Sequence, residues 1–142
     1  MSQIIAYCDG GSRGNPGPSA CAFAVYNGTN LLHSEAFYLG DDKTNNEAEY
    51  AGIIKLLEWL HGKTQRVLIF CDSTLVVNQV NGNWDVTKTH LLPLHARATG
   101  FKIKDRHTLQ YCKGHDGIIG NELCDELVNR CLDEHTQNQT AG

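Results

Sequence analysis

Four carboxylates, each in a short and distinctive setting, are the residues of this chain best suited to chemistry. Asp9 ends the run Ala6-Tyr7-Cys8-Asp9 and is followed by Gly10 and Gly11. Glu49 sits in Thr44-Asn45-Asn46-Glu47-Ala48-Glu49-Tyr50, Asp72 in Phe70-Cys71-Asp72-Ser73, and Asp125 in Asn121-Glu122-Leu123-Cys124-Asp125. Intervals of 40, 23 and 53 residues separate them, so only folding can bring them together. Gathered in one place, four such groups repel each other by several kcal/mol unless cations intervene. An all-oxygen ligand set suits Mg²⁺ or Mn²⁺. Such ions beside a phosphodiester point to hydrolysis by activated water.

The elements that must position these acids follow from local pattern. Residues 4–8 are apolar and read as a buried strand that closes at Asp9. Residues 10–18 are dense in turn formers and read as a loop. A second strand covers residues 20–26, with Phe23 and Val25 on one side. Asn27-Gly28 is a hairpin signal that leads into a third, antiparallel strand over residues 30–39. Thr44 with Glu47 three positions later forms a capping box, and Glu49, Ile53, Leu56 and Leu60 then recur at helical spacing. This aims Glu49 inward and leaves Glu47 as the cap partner. Residues 66–71 are apolar on both faces, as in a central parallel strand, and deliver Asp72 at their end. Helices are expected from Ser73 to about Val80, over 87–98 and over 121–133, with a last strand at 108–113 and a loop at 113–117.

The order predicts an α/β fold: an antiparallel meander followed by crossover units, one mixed sheet with helices on both faces. Residues 1–133 read as a single domain and 134–142 as a polar, mobile tail. If the strands ending at Asp9 and Asp72 are parallel neighbours, both acids emerge at the sheet edge where ligands collect.

The bulk numbers fit this reading. A chain of 142 residues with 41% hydrophobic content makes one domain with a core of its own. No stretch resembles an export signal or a bilayer span, so no membrane role is expected. The six cysteines lack zinc-ligand spacing, and Cys8, Cys21, Cys71 and Cys112 fall in or beside expected strands. They read as reduced, buried fillers in a cytoplasmic protein. The net charge of −4 runs against the usual basic footprint of a nucleic-acid binder. Bound divalent ions would offset much of it, and Lys102, Lys104, Arg106 and Lys113 supply a positive stretch.

The chain resembles a type 1 ribonuclease H along essentially its whole length. The resemblance rests on Asp9-Gly10-Gly11-Ser12 with Gly14-Asn15-Pro16-Gly17, Thr44-Asn45-Asn46 with Ala48-Glu49-Tyr50, Asp72-Ser73, and Lys113-Gly114-His115 ahead of Asp125, all in family order. It implies a five-stranded sheet, with a three-stranded antiparallel meander plus two parallel strands. It also implies hydrolysis of the RNA strand of RNA/DNA hybrids to 5′-phosphate and 3′-hydroxyl ends. Asp9, Glu49, Asp72 and Asp125 would hold two Mg²⁺ ions, with Mn²⁺ as a substitute. Asp9 would bridge them, Glu49 and Asp72 would serve the nucleophile side, and Asp125 the other. His115 would assist proton transfer or product release. Gly10, Gly11, Asn15, Asn45 and Asn46 would meet the 2′-hydroxyls, and Thr44 a DNA-strand phosphate.

The chain departs from the best-known pattern between Asn83 and Thr87, where it lacks a long basic segment. Weak hybrid binding with steep salt sensitivity is expected, offset by residues 102–106 or the tail. Trp84 reads as core. A monomer without an obligate protein partner is expected. Two competing readings are a DNA strand-transfer or resolving enzyme, and a non-catalytic hybrid-binding module. The Thr-Asn-Asn and Lys-Gly-His motifs weigh against the first, and the retention of all four acids against the second.

Overall fold

The computed structural model describes residues 3–63, 65–114 and 118–141. Five strands form one sheet in the order β3-β2-β1-β4-β5. They are β1 (Ile4–Ser12), β2 (Gly17–Asn27), β3 (Asn30–Lys43), β4 (Leu68–Cys71) and β5 (Thr108–Tyr111). β1, β2 and β3 make the expected antiparallel meander, and β4 pairs parallel with both β1 and β5. The helices are α1 (Asn45–Leu60), α2 (Thr74–Val80), α3 (Leu92–Asp105) and α4 (Ile119–Ala141). No described helix is long and apolar enough to cross a membrane.

The two faces of the sheet are filled differently. On one, Ile53, Leu56, Leu57 and Leu60 of α1 bury against Ala6, Cys8, Phe23, Val25, Ile69 and Cys71. On the other, Cys124, Val128 and Leu132 of α4 pack on Ala20, Ala22 and Ala24. Each large aliphatic side chain so buried contributes roughly 1.5–3 kcal/mol. The alanine row keeps that face of β2 low, so α4 lies close to the sheet. α2 and α3 stack beside α1 and share its core. All six cysteines are free thiols, five of them buried.

Several boundaries differ from the sequence reading, each for a physical reason. β1 does not stop at Asp9. Gly10, Gly11 and Ser12 continue it, opposite Cys21, Ala20 and Ser19 of β2. Gly10 there serves close packing of α1 on the strand, and the true turn shrinks to residues 13–16 with a cis Asn15–Pro16 peptide. β3 runs on to Lys43, accommodated by register shifts opposite Ser19 and Ala20.

The third helix begins late. A 3-10 turn (Thr89–Leu91) precedes α3, because Pro93 can occupy only the first turn of a helix. α3 then continues to Asp105 and stops at Arg106, which takes a left-handed conformation at φ 60°. The last helix passes the expected end near Asp133 and reaches Ala141. No proline or glycine falls between Asp133 and Ala141, and the Thr136 hydroxyl donates to the Leu132 carbonyl at 2.9 Å.

The ends of the parallel strands place the basic stretch. α3 leads directly into the start of β5, where Thr108 N–H donates to the Val67 carbonyl and Val67 N–H to His107 Nδ1. Lys102, Lys104 and Arg106 therefore lie at the end of the sheet where β4 and β5 begin. Asp72 lies just past the end of β4, so a four-residue strand, about 13 Å, separates the two regions. The stretch does not flank the acids, contrary to the compensating role expected of it.

Candidate active site

Asp9 and Asp72 are brought together by the parallel pair at the centre of the sheet. Cys8 pairs with Cys71 across β1 and β4, so the residues that follow are neighbours roughly 5 Å apart along the hydrogen-bonding direction. Asp9 is only 9% exposed. Glu49 is set against them by an unusually close approach of α1 to β1. A methyl group at Gly10 would stand 2.1 Å from the Ala48 carbonyl oxygen and 2.7 Å from the Glu49 nitrogen. Gly52, one turn further along α1, reciprocates: a methyl there would stand 2.7 Å from the Asp9 carbonyl oxygen. Helix backbone thus touches strand backbone at the two residues flanking the acids. On the opposite face, α4 carries Asp125 one residue after the buried Cys124, whose thiol meets the Tyr7 carbonyl at 3.4 Å. Gly120 lets the start of α4 rest on Tyr7, where a methyl would stand 2.1 Å from the ring.

The charges of these acids act on one another in pairs. Burial, then the Asp72 charge, pushes the Asp9 carboxyl up to about 8. The Gly10 N–H donates to it at 2.9 Å and pulls the other way, while the Asp125 charge and a hydrogen bond with Asp72 push it further up. Glu49 is also raised by burial and by the Asp72 charge, against a hydrogen bond from the Ser73 hydroxyl that favours its ionised form. Burial, then the Asp72 charge, pushes the Cys112 thiol up to about 11. The centre therefore gathers carboxylate oxygens and an excess of negative charge. That donor set fits a hard divalent ion. Among the described residues no three acidic, histidine or cysteine side chains meet at a common point. A hydrogen bond links Asp9 with Asp72, and another links Glu49 with the Ser73 hydroxyl.

The RNase H family model matches residues 1–133. The chain belongs to the RNase H family. By that membership it is a nuclease of the ribonuclease H class. The ribonuclease H of Francisella tularensis subsp. novicida is 32% identical over 145 residues, covering 94% of this chain and 93% of the relative. That of Francisella philomiragia is 33% identical over 147 residues, covering 95% and 94%. Among solved structures, LC11-RNase H1 in complex with RNA/DNA hybrid superposes with a TM-score of 0.84 at 30% identity, covering 94% of this chain and 99% of that one. RNase H1 from Halobacterium salinarum gives 0.82 at 30% identity, covering 93% and 98%.

The remaining residues expected at an RNase H site fall into two groups. Asn15 and Asn45 stitch the 13–16 turn to α1: Asn45 Oδ1 accepts from Ser12 N–H at 2.8 Å, and Asn15 Oδ1 accepts from Asn45 N–H at 3.1 Å. Each carbonyl oxygen accepts one main-chain N–H, which fixes the amide's orientation. Among the described residues the NH₂ groups have no protein partner, so each amide keeps two donors and a second lone pair for a ligand. Asn46 is half-buried at the start of α1. Arg13 fixes the same turn to α4, with Nη1 2.7 Å from Asp133 and Nη2 donating to the Asn129 carbonyl at 3.2 Å. Thr44 makes the full capping box with Glu47, its Oγ1 accepting at 3.2 Å and its N–H donating at 3.0 Å. Its hydroxyl proton is left for another partner. Gly10 is taken up by α1, whereas a methyl at Gly11 would meet only Val128 at 3.7 Å.

His115 and the rest of its loop, residues 115–117, lie outside the described residues. Gly114 is described: a methyl there would stand 2.9 Å from Asp72 Oδ2, so the chain passes directly over that carboxylate. Trp84 corrects the core assignment, being 47% exposed in the connection after α2. No periodicity could reveal this, since residues 81–88 have no regular structure. Sequence reasoning also passed over Ser73, which caps α2 through Val76 N–H and holds Glu49. Its place directly after Asp72, at the start of a helix, was the available signal.

Proposed function

We propose that this RNase H family member is a type 1 ribonuclease H of the short form, without a basic protrusion. It cuts the RNA strand of RNA/DNA hybrids endonucleolytically, leaving 5′-phosphate and 3′-hydroxyl ends. The observation that carries this reading is the buried Asp9 carboxyl beside Asp72, driven up to about 8 by burial and surrounding negative charge. Such a centre is stable only when protonated or filled by a cation. Two Mg²⁺ ions, or Mn²⁺ in their place, would supply charge neutralisation, water activation and stabilisation of the leaving oxygen.

In this reading Asp9, Glu49, Asp72 and Asp125 would hold the ions, Glu49 and Asp72 serving activation of the attacking water, Asp125 stabilisation of the leaving oxygen, and Asp9 both. Ser73 keeps Glu49 ionised and directed. His115 moves a proton or eases product departure, a task suited to a group with a pKa near neutrality. The free NH₂ groups of Asn15 and Asn45, with Asn46, meet the RNA strand in the minor groove, Gly11 allows close approach of its backbone, and Thr44 meets a DNA-strand phosphate. The hybrid bound by LC11-RNase H1 supports the substrate assignment. We assign residues 1–133 to the catalytic domain and read the protein as a monomer without an obligate protein partner. Six free thiols support a reducing, cytoplasmic setting.

Cleavage of end-labelled hybrid, double-stranded RNA and duplex DNA in Mg²⁺ or Mn²⁺, with Asp9→Asn as control, tests the proposal. The hybrid should be cut in its RNA strand by the wild type and not by the variant. Binding of hybrid without cutting would instead favour a hybrid-binding module.

A further inference from the structure

Gln79 is 3% exposed, polar, and has no part in the chemistry described above. Its Oε1 accepts the Tyr50 hydroxyl at 2.6 Å and its Nε2 donates to the Asp85 carbonyl at 3.3 Å. The amide orientation is fixed, because a carbonyl oxygen can only accept. The Gln79 main-chain carbonyl stands 2.9 Å from His95 Nε2 and also accepts from Gly82 N–H at 3.1 Å. One residue therefore joins α1, α2, the 81–88 connection and α3. A pure filler at this position would be apolar, since replacing a buried hydrogen-bonded pair by apolar groups of the same shape is close to neutral.

The two ends of this network matter for different reasons. Tyr50 is fully buried and follows Glu49 in α1. Consecutive residues of α1 are thus bonded to the two ends of α2, Glu49 to Ser73 and Tyr50 to Gln79. Asp85 lies in the connection that carries the half-exposed Trp84 and borders a hollow of about 380 Å³ lined by Gln79, Trp84, Leu92 and His95. We propose that Gln79 is a positioning residue that couples the setting of Glu49 on α1 to the placement of the 81–88 connection. Its link to the reaction rests on the reading of Glu49 as a cation ligand given above.

Two variants separate the arms. Tyr50→Phe removes only the α1 arm, and Gln79→Met removes both. Hydrogen exchange on metal-free protein should speed up at residues 83–88 in Gln79→Met, on the order of fivefold, and stay unchanged in Tyr50→Phe. Calorimetric Mg²⁺ affinity should weaken by a similar factor in both variants, with a matching rise in the Mg²⁺ needed for half-maximal cleavage. KM for hybrid should rise only in Gln79→Met. Variants that lose global stability yet keep wild-type exchange at 83–88, Mg²⁺ affinity and KM within twofold would overturn the proposal. If Gln79→Met does not fold, Tyr50→Phe decides alone, and wild-type Mg²⁺ affinity in it counts against the coupling. If the wild type cuts no hybrid, the functional reading fails, while exchange and Mg²⁺ binding still support or overturn the coupling.

Discussion

Gly10→Ala should disable the enzyme through packing alone. The added methyl would lie 2.1 Å from the Ala48 oxygen, 2.3 Å from its carbon and 2.7 Å from the Glu49 nitrogen, where ordinary contact begins at 3.4 Å. All three obstacles are backbone, so no side chain can swing aside, and α1 must retreat from β1 by about 1 Å. Overpacking of this kind costs about 1–3 kcal/mol, and the retreat also loosens the contacts of Ile53 and Leu56 with the sheet, so roughly 3 kcal/mol is expected. Glu49 moves with the helix, and a 1 Å error in a reacting constellation costs about a hundredfold in rate. Gly11→Ala is the internal control. Its methyl meets only Val128 at 3.7 Å, and alanine is favoured over glycine inside a strand, so stability should hold or rise by up to about 1 kcal/mol. Urea unfolding followed by circular dichroism gives the first quantity and cleavage of labelled hybrid the second. A Gly10→Ala protein within 1 kcal/mol and threefold of wild type, or an equal stability loss in both variants, would refute the packing argument.

Other outcomes follow from the same geometry. The raised Asp9 pKa means that folding stability attributable to this group is whole below about pH 4 and is lost as pH rises towards 8, because the unfolded chain ionises first. In chelator, Asp9→Asn should therefore melt above wild type at pH 8 and level with it at pH 3.5, and in Mg²⁺ it should cleave hybrid at least about a thousandfold more slowly than wild type. Mg²⁺ should raise the melting temperature of the wild type, worth about 2.7 kcal/mol at a hundred times the dissociation constant, and leave Asp9→Asn nearly unmoved. Gly120→Ala drives a methyl into the Tyr7 ring and should cost about 1–3 kcal/mol in urea unfolding. The double variant Lys102→Ala with Lys104→Ala should change KM for hybrid by less than twofold, because those side chains stand at the far end of the parallel strands. A large rise in KM, with a shallower salt dependence, would place them in the interface.

The sheet order was legible because it depended on short apolar runs and a helical stripe. Residues 66–71 read as a central parallel strand, which Leu68–Cys71 form, and Ile53, Leu56 and Leu60 face inward as their spacing implied. What escaped were features set by tertiary contact. Gly10 and Gly11 read as turn formers because composition carries no sign that a helix will lie on them. Trp84 read as core because a large aromatic usually is, and nothing local shows that residues 81–88 leave it half uncovered. Pro93 moved the start of α3, and its run on to Asp105, which puts Lys102 and Lys104 in its last turn before β5, had no local signal. Asn15 and Asn45 were singled out by motif, but the engagement of their carbonyl oxygens by main-chain donors is a matter of three-dimensional bonding alone.

The glycine contacts between α1 and β1 have a wider consequence. Because Gly10 and Gly52 put peptide groups of the two elements in direct touch, the spacing between Asp9 and Glu49 is a main-chain dimension. Side-chain hopping, which blurs most designed ligand cages on warming, has little purchase on it. The cage should accordingly keep its size over the whole temperature range in which the domain stays folded, and fail abruptly with it rather than soften beforehand.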